Sequence, residues 1–124
     1  MDMEKREATA ELNVNSEFTL GENIEYLGRI SIALKAYQLS LDGKEAPVLD
    51  GFTVKQRVFL GFGQVWLNKY RDEALGSQIE TAPHSPSSLR ANGSVRNIPE
   101  FYKAFDVNET NALYLPPEER VKIW

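Results

Sequence analysis

The residues of this 124-residue chain that are best suited to chemistry are His84 and Arg90, in a Ser/Pro-rich loop. The imidazole and the guanidinium are six residues apart on a loop held by proline, so both can converge on one oxygen-bearing ligand. The histidine can stabilise a developing oxyanion while the arginine binds a carbonyl or carboxylate. Alternatively, both are surface residues, or donors that hold the loop together. The spacing leaves both interpretations open.

Most other catalytic constellations are missing. His84 is the only histidine, so the His-Glu-x-x-His signature of zinc peptidases cannot form. A catalytic zinc needs about three ligands from His, Asp/Glu or Cys, and the chain has no cysteine. A Ser-His-Asp triad lacks its Gly-x-Ser-x-Gly elbow, and Ser85 adjoins the histidine rather than facing it. Gly61 and Gly63 lie inside a predicted helix without a following lysine, so they do not form a phosphate loop.

Composition indicates an ordinary soluble domain. Hydrophobic residues make up 42% and charged residues 26% of the chain, and its length suits one domain over residues 1–124. The net charge is −4 without a basic cluster, which argues against a nucleic-acid partner. No apolar run approaches the roughly 18 residues of a membrane span, and the N-terminus lacks an apolar signal-peptide core. We therefore expect no transmembrane segment or signal peptide, and the compartment is not predicted.

The first helix is the element around which the others are expected to pack. Thr19 and Glu22 fit the Thr-x-x-Glu pattern of a capping box, which predicts a helix that starts at Leu20. Apolar residues then cover most of its circumference as far as Tyr37, so we expect a buried helix. Residues 1–18 are predicted to be a polar lead-in followed by an extended segment or short hairpin.

Apolar spacing and capping patterns predict three more helices: Thr53 to about Arg71, Asp72 to about Glu80, and Asn97 to about Phe105. Gly61 and Gly63 within the second of them are expected to admit a neighbouring backbone at close range. Residues 81–96 are rich in Pro, Ser, Gly and Asn, so we expect a loop there. Pro116 and Pro117 are expected to open a last short turn. The predicted fold is mainly α with long loops.

Four separated stretches resemble the C-terminal part of the catalytic domain of the neprilysin-like zinc endopeptidases, which include bacterial oligopeptidases. They are GENI at 21–24, QRVFLGFGQVW at 56–66, HSPSSLRANGSVRNIPEFYKAF at 84–105 and YLPPEERVKIW at 114–124. Their order and spacing are like those of the family, and the resemblance covers most of residues 12–124. It implies the C-terminal helical sub-lobe of a zincin-type metallopeptidase.

The resemblance also assigns roles to single residues. Glu22 corresponds to the third zinc ligand, His84 to the histidine that stabilises the tetrahedral intermediate, and Arg90 to the arginine that binds the substrate's backbone carbonyl. The family's cofactor is zinc. By the same resemblance three residues belong to the scaffold and one terminal aromatic packs back onto the lobe: Asn97, Phe101, Phe105 and Trp124.

The sequence departs from the family pattern at the site itself. Tyr26 stands where the family has an aspartate that orients a zinc-binding histidine, and losing such a carboxylate typically costs about 10- to 100-fold in metal affinity or activity. Arg29 replaces a small residue, and Ala82 replaces an aspartate two residues before the catalytic histidine. The His-Glu-x-x-His helix lies upstream of this region in the family and is not in this sequence. The sequence therefore supplies at most one of three zinc ligands.

Two hypotheses follow from these matches and departures. The favoured one is a module that binds a peptide or a protein partner, is not catalytic alone and holds no zinc alone. The alternative is part of an active zinc-dependent oligopeptidase that hydrolyses peptide bonds when the upstream zinc helix is present. We also expect a homo-oligomer, or association through the former zinc face, because apolar surface of the first two helices is left uncovered. On that face, Glu25 and Arg29 have i,i+4 spacing for an ion pair.

Overall fold

The computed structural model of the chain describes residues 16–123, with side chains from residue 21 onward. Its regular elements are α1 (Ser16–Ser40), α2 (Val54–Val65), α3 (Asp72–Thr81), a π-helical turn (Leu89–Gly93), α4 (Pro99–Phe105) and a 3-10 turn (Pro117–Glu119). The strand-like pairing in this part of the chain is a single bridge between Leu49 and Phe52. The prediction of a mainly α fold is confirmed. In the described part of the chain, no helix has the length and apolarity needed to cross a membrane.

Helix α1 starts earlier than predicted. The backbone is already helical at Ser16, so Thr19 lies inside the helix and the predicted cap at Thr19 is wrong. A helix propagates readily through residues that carry no breaker, and 16–18 contain neither Gly nor Pro. The extended segment is therefore wrong for residues 16–18, and the rest of the predicted lead-in and hairpin lies outside the described residues. The Glu22 carboxylate is left available for another partner.

Helix α1 buries one face and not its whole circumference. Leu27, Ile30 and Leu34 are buried, whereas Ile32 and Leu39 are 60% and 69% exposed. The buried residues follow the three- and four-residue spacing of one helical face. The expectation of a helix buried on all sides is wrong for these residues, because the described part of the core lies on one side of α1.

The core lies where α1, α2 and the region of α4 meet. Its buried members are Leu27, Ile30, Leu34, Phe59, Val95 and Ile98. The Phe59 ring meets the rings of Phe101 and Phe105 edge-on, at centroid distances of 5.5 and 6.3 Å. These aromatic contacts join α2 to α4, so Phe101 and Phe105 belong to the scaffold. Trp124, expected to pack back onto the lobe, lies outside the described residues.

The capping box predicted for α2 is present. Thr53 Oγ1 accepts a hydrogen bond from the Gln56 backbone N–H, and Gln56 Oε1 accepts one from the Thr53 N–H. Helix α2 ends at Val65, however, and not near Arg71. The chain beyond it is held by tertiary contacts, since Asn68 and Tyr70 hydrogen-bond to Ser87 Oγ at 2.8 and 2.7 Å. Helix α3 agrees with its predicted range within one residue.

The predicted cap of α4 is wrong. Ile98 occupies the N-cap position without a side-chain hydrogen bond, and Pro99 starts the helix. Asn97 instead donates from Nδ2 to the Gly93 carbonyl at 2.7 Å and accepts at Oδ1 from the Val121 N–H at 2.8 Å. A side chain that can satisfy distant backbone groups is therefore used to tie the C-terminal segment to the π-helical turn.

The glycines of α2 do not admit a neighbouring backbone from residues 16–123. Within this part of the chain, a Cβ atom added at Gly61 or Gly63 meets no heavy atom within 4 Å, so that expectation is wrong for the described residues. Replacing Gly61 by alanine should raise the free energy of unfolding by about 1 kcal/mol, because alanine has the higher helix propensity. Chemical denaturation monitored by circular dichroism would measure this change.

Gly43 provides the matched control for that substitution. It also has open space around it, but its φ of +75° is a conformation that suits glycine. The change from Gly43 to alanine should therefore destabilise the protein, by about 1–2 kcal/mol. If both alanine substitutions changed stability in the same direction, helix propensity would not be the cause.

Candidate functional site

Glu22 and His84 lie next to each other. Glu22 Oε2 is 3.2 Å from His84 Nδ1, and the side chains are 32% and 41% exposed. Nδ1 itself is buried and makes no hydrogen bond of good geometry with the described residues. The carboxylate and the imidazole approach closely without forming a hydrogen bond, because the N–H is poorly aimed at the carboxylate. The exposed part of the imidazole lies away from Nδ1.

Arg90 packs against two aromatic rings that also contact each other. Its guanidinium carbon lies 4.9 Å from the ring centroid of Trp66 and 5.4 Å from that of Tyr26. The two rings meet edge to face at 5.3 Å, and Nη1 donates to the Tyr26 hydroxyl at 3.3 Å. Stacking of a guanidinium on aromatic faces is favourable. The compact ammonium group of lysine cannot stack in this way. We call Tyr26, Trp66 and Arg90 the arginine cradle.

The segment between His84 and Arg90 is buried and not on the surface. Ser85 and Ser87 are 1% and 2% exposed. Ser85 Oγ donates to Asn23 Oδ1 of α1 at 2.9 Å, and the Ser85 carbonyl accepts from Arg90 Nε at 2.6 Å. Hydrogen bonds of this kind satisfy the polar groups that burial removes from water. The loop is therefore anchored to α1 between its two candidate residues.

Part of the predicted loop is helical. Residues 87–95 are in helical conformation and include the π-helical turn, so the expectation of an irregular loop is wrong there. Arg90 lies inside the turn, and its backbone N–H donates to the Pro86 carbonyl at 3.1 Å. Wide turns of this type often occur at functional sites because they redirect side chains. This turn carries Arg90 toward α1.

The ion pair expected between Glu25 and Arg29 is present. Arg29 Nη2 lies 2.7 Å from Glu25 Oε1, with side chains that are 59% and 52% exposed. An exposed i,i+4 pair contributes only about 0.3–0.5 kcal/mol. Arg29 also stands 5.3 Å from the Tyr26 ring centroid. It therefore contacts the same ring as Arg90 but remains open to solvent.

The described residues do not by themselves fit a zinc centre. They contain no group of three His, Cys, Asp or Glu side chains that could hold a metal ion, and a catalytic zinc requires about three such ligands. Glu22 and His84 are two donors, and one helical turn along α1 the expected carboxylate is replaced by the phenol of Tyr26. Tyr26 is only 7% exposed, so its ring is part of the packing.

An open apolar groove adjoins the arginine cradle. It has a volume of about 340 Å³ and runs between α1 and α2. Arg29 is the charged residue of a lining that is otherwise aliphatic or aromatic: Tyr26, Arg29, Ile30, Ala33, Val58, Phe62, Val65 and Trp66. The site thus combines hydrogen-bond donors for a carbonyl with an apolar surface for a side chain, as peptide sites require.

Glu22, His84 and Arg90, chosen from the sequence, lie on one face, where Tyr26 contacts Arg90 and Glu22 contacts His84. Two further contributors, Trp66 and Ser85, are not singled out by the sequence. Trp66 is one of several apolar residues in the stretch 56–66, and Ser85 is one of several serines in the loop. Pro86 is the available signal that this loop is held.

Comparison with known proteins identifies the class. Residues 2–121 match the sequence profile of Peptidase family M13. Human neprilysin is 38% identical over 116 residues, which are 90% of this chain and 15% of that protein. The rabbit neprilysin is 39% identical with the same coverage. The chain therefore belongs to Peptidase family M13, and the resemblance noted in the sequence is confirmed.

Solved structures agree with this assignment. The zinc metalloprotease Zmp1 of Mycobacterium tuberculosis, in complex with an inhibitor, is 54% identical, with a TM-score of 0.88. The match covers 90% of this chain and 17% of that one. The same enzyme in its open state gives a TM-score of 0.87. The chain thus has the fold of the helical sub-lobe of M13 peptidases and spans less than a fifth of the length of these relatives.

Proposed function

We propose that this chain binds extended peptides through Arg90 and His84 and does not hydrolyse them by itself. The observation that carries the proposal is the pairing of Arg90, held in the arginine cradle, with an adjoining apolar groove. The guanidinium donates to a peptide carbonyl oxygen. His84, whose side chain is 41% exposed, is the second residue proposed to contact the peptide, and the groove accepts an apolar side chain.

The lack of hydrolysis follows from the set of donors. In the described residues, Glu22 is paired with His84 and no third metal-ligating group accompanies them. Peptide hydrolysis by this family's chemistry needs a zinc ion that activates water and polarises the carbonyl. Without ligands from elsewhere, the chain has the means to bind the substrate backbone but not to activate the nucleophile.

A second candidate function is part of an active zinc-dependent oligopeptidase. It is favoured by the 54% identity with a zinc metalloprotease and by the Glu22 carboxylate, which no helix cap uses. In that case Glu22 would hold zinc together with ligands from an upstream helix, and zinc would supply a Lewis acid and an activated water. Arg90 and His84 would keep their contacts with the peptide backbone.

One set of measurements separates the two candidates. The purified chain should contain far less than one zinc per molecule by elemental analysis and should not cleave a fluorescence-quenched peptide. It should nevertheless bind the same peptide in a titration. Stoichiometric zinc together with turnover would contradict the first candidate. Turnover that appears only after adding the part of Zmp1 that precedes the matched region would support the second.

We further propose that, in the absence of peptide, the chain self-associates through the groove between α1 and α2. Val65 lines this groove, and Val65 and Leu67 are 68% and 81% exposed. Adjoining exposed apolar side chains favour association. Light scattering at micromolar concentration should show a dimer or larger assembly. The double variant Val65→Lys, Leu67→Lys should be a monomer. The control variant Leu39→Lys changes a residue that is 69% exposed near the end of α1, and it should remain associated. A monomeric unmodified chain would contradict the proposal.

A further inference from the structure

We infer that Tyr26 is the positioning residue of Arg90: with Trp66, it holds the guanidinium ready for a peptide carbonyl without neutralising its charge. The inference rests on the proposed peptide binding and deepens it by giving a role to Tyr26. In the sequence, Tyr26 occupies the position where the family has an aspartate. In the structure it is buried, and its ring and hydroxyl both contact Arg90.

Three kinds of contact restrain the guanidinium. Nε donates to the Ser85 carbonyl at 2.6 Å, Nη1 donates to the Tyr26 hydroxyl at 3.3 Å, and the Trp66 ring stacks at 4.9 Å. Ser85 is itself held by Asn23 of α1. An arginine side chain has many rotamers, and restraining it before the ligand arrives lowers the entropic cost of binding. The position of Arg90 thus depends on α1 through Tyr26.

The phenol of Tyr26 differs from a carboxylate because it does not neutralise the positive charge of Arg90. A carboxylate at this position would form a salt bridge with the guanidinium and reduce its field at the ligand. The neutral hydroxyl accepts one hydrogen bond and leaves the net positive charge in place. The cradle therefore favours a ligand group that is an acceptor, such as a peptide carbonyl.

Arg29 is a second arginine beside the Tyr26 ring and can be compared directly with Arg90. Its guanidinium carbon is 5.3 Å from the Tyr26 ring centroid, close to the 5.4 Å of Arg90. Arg29 is more than half exposed and is paired with Glu25. Arg90 instead donates a hydrogen bond to the carbonyl of the buried Ser85 and packs against two rings. Only the restraint of Arg90 should depend on Tyr26.

The test combines nuclear magnetic resonance of the Arg90 Nε–H with titration of an uncleaved extended peptide. Tyr26→Phe should speed exchange of this proton with water. It should weaken peptide affinity about threefold to tenfold, since the guanidinium loses one of its restraints and more of its freedom must be given up on binding. Tyr26→Leu should do more on both readouts, and Tyr26→Phe should be intermediate. Arg90→Lys assigns the signal. Arg71→Gln is the control, expected to leave both readouts unchanged, because Arg71 is exposed and does not line the groove.

The outcomes separate this inference from the proposed function. If Tyr26→Phe, with unchanged circular dichroism, leaves both the Nε–H exchange and the affinity at their original values, Tyr26 does not position Arg90. If the exchange responds as expected but no peptide binds even to the unmodified chain, the positioning role is supported and the proposed function fails. A graded response of both readouts supports both.

Discussion

Replacing Arg90 by alanine is expected to lower the affinity for an extended, uncleaved peptide by about 10- to 100-fold. A hydrogen bond to a charged group contributes about 1.5–3 kcal/mol, and about 1.4 kcal/mol corresponds to a tenfold change in affinity. The alanine variant also removes the cation that packs against the two rings of the arginine cradle. Isothermal titration calorimetry would measure the change.

The controls for this substitution separate charge from geometry. Arg90→Lys keeps the charge but loses the planar fork that reaches the Ser85 carbonyl and the Tyr26 hydroxyl, so its affinity should be recovered only in part. Arg71→Ala removes an exposed arginine that does not line the groove and should change the affinity less than threefold. If Arg90→Ala bound the peptide within twofold of the unmodified chain, Arg90 would not be the carbonyl donor.

Replacing Ile98 by alanine is expected to lower the free energy of unfolding by about 3–4 kcal/mol. Ile98 is 1% exposed and lies in the core cluster beside Val95. Removing its buried methyl and methylene groups loses their transfer free energy and leaves a cavity in a close-packed interior. A chain of this size has a total stability of only about 5–15 kcal/mol. Urea denaturation would measure the change.

A graded series checks that packing is the cause. Ile98→Val removes a single methylene and should cost about 0.5–1.5 kcal/mol. Ile32→Ala makes the same chemical change at a residue that is 60% exposed, and surface substitutions usually alter stability by no more than about 0.5 kcal/mol. Equal losses at Ile98 and Ile32 would mean that the core is not organised around Ile98.

The pairing of Glu22 with His84 bears on how the site relates to the rest of the family. By resemblance Glu22 is a zinc ligand, and in this chain its carboxylate lies 3.2 Å from the imidazole instead. The aspartate expected two residues before His84 is replaced by Ala82, which removes the nearest acidic neighbour along the chain. Glu22 is thus the carboxylate that faces His84 among the described residues, through its Oε2.

Local signals in the sequence were sufficient for the helices whose ends are made by local contacts. The capping box of Thr53 and Gln56 correctly predicted the start of α2, because both hydrogen bonds join residues three apart. The same kind of pattern failed at Thr19 and Asn97. At Thr19 the helix extends upstream of the motif, and at Asn97 the side chain finds better partners in Gly93 and Val121.

The sequence by itself determined the family and the mainly α fold, and it pointed to Glu22, His84 and Arg90 as candidate site residues, because motifs and helical periodicity are properties of residues close in the chain. Only the tertiary structure decided what these residues contact. The bonds of Ser85 to Asn23 and of Arg90 to Tyr26 join residues 62 and 64 positions apart. Contacts between residues so far apart in the chain depend on how the helices pack. Only this packing shows that Tyr26, which occupies the position of the family's aspartate, contacts Arg90.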